Sequence, residues 1–230
     1  MYRRIVGFVF VCLCAAQTML HAQDFKIFDR DVQIHGFATQ GFVHTNENNW
    51  LTMETTNVGS GEFSDFGANA STQITDNLRI GAQFYDRNLG GIGKWYPTLD
   101  WAYAQYKFKP WFGIRGGRVK TVLGLYNDTQ DLDFLHPFAL LPQSMYSIDV
   151  RDSTIAHDGG DLFGDIHLGS KYGSLSYTAY AGHRSNSTHG GVAYLIASDG
   201  LVFNYLRVSN TAATCAGRHP SRACSSAHLA

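Results

Sequence analysis

Residues 78–85 read LRIGAQFY, and their alternation of apolar and polar side chains indicates a β-strand. Side chains of a strand point alternately to two faces. One face of this strand is apolar and carries Leu78, Ile80, Ala82 and Phe84. The other face carries Arg79, Gly81, Gln83 and Tyr85. The apolar face would pack on a core in a soluble sheet and meet lipid in a membrane barrel. The segment alone does not distinguish the two.

The first 22 residues have the layout of a secretory signal. Arg3 and Arg4 precede the apolar run IVGFVFVCLCAA (5–16). This run is shorter than the ~20 residues that a helix needs to span a bilayer, which disfavours the alternative of a membrane anchor. We therefore predict a signal peptide over 1–22, cleaved after Ala22, and export of the mature chain.

The composition favours an exported β protein. The 230 residues are 44% hydrophobic and 13% aromatic, with 24 Gly, 5 Pro and a net charge of −1, which gives no reason to expect nucleic acid as a partner. No cysteine lies between Gln23 and Thr214, so the main part of the chain offers no disulfide framework and no thiolate metal site. No closely spaced histidine pair suggests a metal site either. We expect no cofactor and no metal.

The spacing of strands and turns favours a membrane barrel. Eight strands are predicted, over 32–45, 63–74, 78–85, 99–108, 111–120, 161–170, 174–182 and 201–208. Most have about the 9 to 11 residues of a tilted membrane-spanning strand. Their connections alternate between tight turns, at 75–77, 109–110 and 171–173, and long loops. Short turns at one end and long loops at the other are typical of outer-membrane barrels. Aromatic residues near strand ends would form an interfacial belt: Trp95, Tyr96, Trp101, Tyr106, Phe108, Trp111 and Phe112.

The strand WFGIRGGRVK (111–120) conflicts with strict alternation. Period two places Arg118 on the same face as Ile114, and an arginine facing lipid at the membrane centre costs about 2–4 kcal/mol. We therefore predict a bulge at Gly116 and Gly117 that turns the basic side chains of this strand toward the lumen. The alternative is that Arg118 already lies above the bilayer. The predicted basic residues lining the pore are Arg79, Arg115, Arg118 and Lys120.

Two longer segments carry a family resemblance. GIRGGRVKTVLGLYND (113–128), followed by DGGDLFGDIHLGSKYGSLSYTAYAG (158–182), resembles Gram-negative porins, especially the phosphate-selective type and its relatives. The resemblance covers about residues 30–208. It departs from the phosphate-selective pattern at Thr121–Leu123, where a Pro-Phe pair is usual. The resemblance implies an outer-membrane channel for small hydrophilic solutes or ions. A homotrimer is one assembly that the resemblance allows.

The long connection at 121–160 is the candidate constriction loop. It is too apolar for free disorder, and loops of this length are usually functional or disordered. By analogy with porins it would fold inward and narrow the pore. Its acidic residues would face the basic wall across the constriction: Asp128, Asp131, Asp133, Asp149, Asp152 and Asp158. For any one of these aspartates alone, a solvated turn residue is the better interpretation.

Two other functions stay open. HRSN (183–186) is similar to the His-x-Ser-Asn element of outer-membrane phospholipases, with Ser185 as the nucleophile. A small eight-stranded barrel with a structural or adhesin role is the other, since the interior of such a barrel is filled by side chains. We expect the protein not to be an enzyme.

The C-terminal segment breaks the pattern. Residues 209–230 lack aromatic residues and alternation, and they contain both cysteines that follow the signal. We predict that 23–208 is the barrel region, and that 209–230 is disordered or out of frame in a truncated or frameshifted copy, which would hold the N-terminal half of a larger barrel. The alternative is a disordered tail with a Cys215–Cys224 disulfide. The prediction as a whole is an all-β protein, an antiparallel transmembrane β-barrel of the outer membrane that conducts small hydrophilic solutes.

Overall fold

Nine antiparallel strands make up most of the chain. The computed structural model describes residues 23–218 apart from 28–29, 51, 54, 125, 128, 133–134, 139, 170–171 and 203–205. The strands are β1 (Gln23–Ile27), β2 (Arg30–Val43), β3 (Ser60–Thr75), β4 (Leu78–Leu89), β5 (Thr98–Lys109), β6 (Phe112–Lys120), β7 (Ala156–His167), β8 (Ser174–Asn186) and β9 (Leu206–Arg218). Two short helices lie in the long connections, α1 (Arg151–Thr154) and α2 (Gly191–Ser198). The predicted signal peptide lies outside the described residues.

Each strand pairs with its neighbours in sequence, in the order β1 to β9. The connections β3–β4, β5–β6 and β7–β8 are tight, whereas β2–β3, β4–β5, β6–β7 and β8–β9 are long. Because consecutive strands are antiparallel, all the long loops lie at one end of the sheet. The all-β antiparallel prediction and the alternation of connections are confirmed.

The strand count and the C-terminal boundary differ from prediction. Nine strands are present instead of about eight, because Gln23–Ile27 pairs with β2. The last strand is Leu206–Arg218 instead of 201–208, so residues 209–218 of the predicted tail pair with β8. The backbone can form this ladder without aromatic side chains, since its hydrogen bonds are made by main-chain groups. Residues 219–230, with Cys224, lie outside the described residues.

Within the described residues the pairings do not return from β9 to β1. Both strands have odd numbers in an antiparallel series, so they run in the same direction. Closure of the sheet into a barrel therefore stays a prediction.

The two faces of the sheet differ in exposure. At LRIGAQFY, Ile80 and Phe84 are 40% and 60% exposed, whereas Gln83 and Tyr85 on the opposite face are 3% and 5% exposed. We call the first the apolar face; it continues through exposed residues of the other strands, including Ile34, Phe66, Ile114, Leu162 and Ile166. We call the second the polar face; the β6–β7 connection covers the part of it formed by β4 and β5 near the long loops. The arrangement is the reverse of a soluble sheet, which buries its apolar face.

The bulge predicted at Gly116 and Gly117 is absent. The register of β6 with β5 and β7 runs unbroken through both glycines. Arg118 therefore lies on the apolar face with Ile114, and Arg115 on the polar face. Gly117 has φ +125°, where an added Cβ would lie 2.4 Å from the Ala102 carbonyl oxygen, so its backbone accommodates local twist without an extra residue.

A register shift occurs instead between β4 and β5. Gln83 pairs with Trp101 and Phe84 with Leu99, which leaves Asp100 as the extra residue. Both Asp100 and Trp101 are buried, at 2% and 9% exposure. The shift thus brings a carboxylate to the polar face next to Trp101.

Candidate functional site

The connection between β6 and β7, residues 121–155, packs on the polar face of β4 and β5. Two arginines hold it there, one from the connection and one from the sheet. Arg151 begins helix α1 and projects onto β5, while Arg87 lies on β4 and reaches the residues around α1. This connection and the strand residues beneath it are the candidate functional site.

Arg151 binds two carboxylates at once. Its Nη1 and Nη2 donate to the two oxygens of Asp100, each at 2.8 Å, and its Nε donates to Asp131 Oδ1 at 2.9 Å. The guanidinium also lies over the ring of Tyr85, 3.7 Å from its centroid. All three charged side chains are almost fully buried. Paired, hydrogen-bonded charges of this kind fix one geometry, since a planar guanidinium matches a carboxylate in only a few orientations.

Gln83 and Lys120 complete the cluster. Gln83 Nε2 donates to Asp100 at 2.8 Å and to Asp131 at 3.1 Å. Lys120 Nζ lies 3.6 Å from Asp131 Oδ2 and 5.9 Å from the centroid of the Trp101 ring. We call Arg151, Asp100, Asp131, Gln83 and Lys120 the arginine cluster.

The charges of the arginine cluster shift the pKa of Asp131 and of Arg151. Burial by itself would raise the pKa of Asp131, but Arg151 and Lys120 outweigh it and hold that pKa below its usual value. Burial likewise acts to lower the pKa of Arg151, and the carboxylates of Asp100 and Asp131 raise it well above its usual value. Both residues therefore stay ionised at neutral pH, and the loop is held by full charges.

Arg87 forms the second attachment. Its Nη2 donates to Asp152 Oδ2 at 2.8 Å and to the Asp149 carbonyl at 3.3 Å, and its Nη1 donates to the Ile148 carbonyl. Asp149 itself has a buried carboxylate oxygen without a hydrogen-bond partner. Burial raises the pKa of Asp149, and Arg87 opposes that shift only in part.

A small cavity of about 60 Å³ remains between the loop and the polar face. Loop residues such as Leu141, Tyr146 and Gln130 line one side, and Phe63, Asp65 and Tyr85 of the sheet line the other. The Tyr85 hydroxyl donates to Asp65 at 3.1 Å. The loop therefore fills the space over this part of the sheet almost completely.

The predicted basic residues divide between the two faces. Arg79 and Arg115 lie on the polar face in one row, since both pair with Gln105. Arg79 donates to Ser71 at 2.9 Å, and Arg115 pairs with Asp161 of the neighbouring strand at 3.1 Å. Lys120 reaches the loop, and Arg118 lies on the apolar face, as described above. A role in lining a pore stays a prediction for Arg79, Arg115 and Lys120.

The predicted acidic residues also separate. Asp131 and Asp152 contact basic residues directly, so the loop and wall charges there meet without an open gap. Asp149 lies beside Arg87. Asp158 belongs to β7 rather than the loop and pairs with Arg118 at 3.3 Å. Asp128 and Asp133 lie outside the described residues.

Sequence reasoning missed Arg87, Asp100 and Gln83. The face of Gln83 follows from the alternation of LRIGAQFY, although no contact was predicted for it. Arg87 was within reach, because extending that alternation by two residues places it on the same face as Tyr85. Asp100 was not, since only the register shift at β4–β5 turns it to the polar face. Of the residues predicted for an aromatic belt, Tyr106, Phe108 and Trp111 are exposed near the tight turns, whereas Trp101 is buried.

The HRSN segment does not form the pair that hydrolysis by Ser185 needs. Ser185 donates to Asp158 Oδ2 at 2.6 Å, and His183 Nδ1 lies 3.2 Å from Ser209 Oγ instead. Neighbouring residues two apart on a strand share a face, but their side chains are directed to different cross-strand partners here.

Two further findings concern the described residues only. No group of three or more His, Cys, Asp or Glu side chains among them could hold a metal ion. None of the helices found among them is long and apolar enough to cross a membrane.

No protein-family model and no curated protein matches this chain. No family is assigned.

Proposed function

We propose that this protein is a porin-like channel of the outer membrane, through which small hydrophilic solutes diffuse passively past the β6–β7 loop. One observation carries the proposal: the apolar face of the sheet is exposed, and a charged loop packs on the part of the polar face formed by β4 and β5. A barrel in lipid needs this distribution, with apolar side chains outward and polar ones toward the lumen.

The connections support the same proposal. Tight turns at one end and long loops at the other match the periplasmic and extracellular ends of such barrels. The exposed aromatic residues beside the tight turns would lie at the membrane interface. Because lipid offers no hydrogen bonds to a sheet edge, the proposal requires that the edges of β1 and β9 are paired in the membrane.

The loop would act as the constriction. It is held to the wall by the arginine cluster and by Arg87, and it leaves Arg115 and Arg79 on the part of the polar face away from these contacts. Solutes would therefore pass a wall with fixed charges of both signs, a device that selects by charge.

Planar-bilayer recording on the refolded full-length protein tests the proposal. We expect discrete conductance steps at high salt, and larger steps when loop residues 126–148 are replaced by a short Gly-Ser linker, since the linker would leave the lumen less obstructed. A matched control is a linker in place of residues 46–57 of the β2–β3 connection, which contains neither arginine attachment. Stable insertion without any conductance would contradict the channel and favour a structural or adhesin role.

A further inference from the structure

The sheet has two edges along which another strand can pair. Among the described residues, pairing ends at β9 on one side and at β1 on the other. Strand β1 is short and lies beside residues 30–34 only, so the half of β2 nearer the long loops forms the edge there. Lipid offers no hydrogen bonds to the backbone of such edges. In the proposed membrane location both edges therefore need a strand beside them.

The sequences of the two edges lack the residues that usually keep an edge strand from pairing. Exposed edges in proteins are commonly protected by charged side chains or proline. Residues 36–43 of β2 and 208–217 of β9 contain no charged residue and no proline. Strand β9 is also long, with 13 residues. A long, uncharged edge is a template for pairing with another chain.

The directions of the two edges are compatible. Strand β2 runs toward the long loops, and β9 runs away from them. Placing β9 beside the outer edge of β2 therefore continues the antiparallel order of the sheet. Because β1 runs in the same direction as β9, the two strands can share that edge, with β1 in the half near the tight turns and β9 in the half near the long loops. Each chain then contributes eight strand positions, β2 to β9.

The β6–β7 loop needs more room than one chain can enclose. Helix α1 contacts β7 and β8, while Arg151 and Asp152 reach β5 and β4, so the sheet curves around the loop with its polar face inward. Eight or nine strands spaced about 4.8 Å apart and tilted by about 40° enclose a backbone-to-backbone diameter of about 16–18 Å. Side chains alone fill such a barrel, whereas a helix with its side chains is about 10–12 Å wide. A single chain closed on itself would therefore expel the loop.

A second copy of the chain provides both the missing strands and the missing width. Two copies related by a two-fold axis along the barrel form two identical seams, each between β9 of one copy and β2 of the other. Head-to-tail contacts of this kind give a closed ring when the rotation closes. Sixteen strands at the same spacing and tilt enclose about 32 Å, and barrels of 16 to 18 strands leave an aqueous channel.

We infer that β2 and β9 are the contact edges of a homodimer, in which two chains complete one sixteen-stranded barrel around two β6–β7 loops. The inference rests on the proposed channel in the outer membrane. It adds the assembly that forms the lumen, since the wall of the pore is incomplete in one copy.

Native mass spectrometry and cysteine cross-linking of the full-length protein, refolded in detergent, test the homodimer. We expect a species of twice the chain mass. For the seams, Thr211→Cys on β9 is mixed before refolding with Gly36→Cys, Ala38→Cys or Gln40→Cys on β2, each in a background without the native cysteines. A short bismaleimide should join the two chains in at least one mixture, since the three β2 positions cover different registers. The matched control is Thr211→Cys with Ile80→Cys, because Ile80 lies on β4, away from both edges.

Two results would overturn the homodimer: single chains only in the mass spectrum, or cross-linking no greater than the Ile80→Cys control in all three mixtures. Bilayer recordings on the same preparations separate this inference from the channel. Conductance from a preparation that holds single chains only would contradict the homodimer alone. A dimer with cross-linked seams but no conductance would contradict the channel alone.

Discussion

In the candidate site, the buried side chain of Arg151 joins the loop to the sheet. It is the residue through which Asp100 of the sheet and Asp131 of the loop share one cation. Removing one member of such a buried set leaves the partners charged and unpaired, which is far more costly than never having placed charges there.

We expect Arg151→Met to destabilise the loop by about 3–5 kcal/mol. Limited proteolysis should then cut within 121–150 much faster than in the unchanged protein. Lys94→Met is a suitable control, because Lys94 is an exposed cation in another long connection. Equal cleavage rates in Arg151→Met and the unchanged protein would show that the arginine cluster does not hold the loop.

Two loop aspartates should respond to acid in opposite directions. The folded pKa of Asp131 is lowered, so its stabilising contribution is complete above its unfolded pKa of about 3.9 and is lost as the pH falls below that value. The folded pKa of Asp149 is raised by burial, so its charge opposes folding at neutral pH and protonation relieves that cost.

Asp149→Asn should therefore slow proteolysis of the loop slightly at pH 7 and make no difference below pH about 3.9, where the unchanged residue is protonated in both states. Asp131→Asn should instead speed proteolysis at pH 7. Cleavage measured between pH 3 and 8 with an acid-tolerant and a neutral protease checks both. Similar pH profiles for the two variants would argue against the opposite shifts.

At the scale of the element, strand β6 depends on one glycine far more than on its neighbour. Gly117 has φ +125° and lies against the Ala102 carbonyl, whereas Gly116 faces open space. Residues other than glycine rarely adopt that φ. The two glycines are neighbours in the sequence, but only Gly117 needs the backbone freedom of glycine.

Gly117→Ala should destabilise the sheet by about 1–3 kcal/mol, from backbone strain and the close approach to β5. Gly116→Ala should leave stability almost unchanged. Urea unfolding followed by tryptophan fluorescence compares the two. A larger loss of unfolding free energy in Gly116→Ala than in Gly117→Ala would contradict the unbroken register of β6 and favour a bulge at these glycines.

The same register explains why the prediction of a bulge at Gly116 and Gly117 was wrong. A bulge was expected in order to avoid placing Arg118 beside Ile114 on a lipid-facing surface. The strand keeps its register, and Arg118 lies two residues from the strand end, where Asp158 pairs with it. One register shift that was not predicted lies at Asp100, where no glycine marks it in the sequence.

At the scale of the whole molecule, the assignment of the two faces is the property that matters most. If the apolar face meets lipid, a probe at Phe84 must lie in hydrocarbon, and a probe at Gln83 must not. The two residues are neighbours on one strand, and their side chains point to opposite faces of the sheet.

Single cysteines measure this directly, after the four native cysteines are replaced by Ser: Cys12, Cys14, Cys215 and Cys224. A bimane label on Phe84→Cys or Ile80→Cys should be strongly quenched by lipids brominated on the acyl chain, and a label on Asn69→Cys much less. Asn69 is on the polar face, where it donates to Gln83 at 3.3 Å. Equal quenching at both faces would contradict the proposed membrane location.

The sequence by itself determined the strand class, the alternation of tight turns and long loops, and which face of each regular strand is apolar. These follow from local patterns with a period of two and from turn residues. Only the tertiary structure decided that Arg151, Asp100 and Asp131 meet, because the contact joins residues 20 and 51 positions apart through a register shift. It also decided that Arg118, Asp158, His183 and Ser209 form one row, because strand register depends on pairing between strands and cannot be read from any one of them.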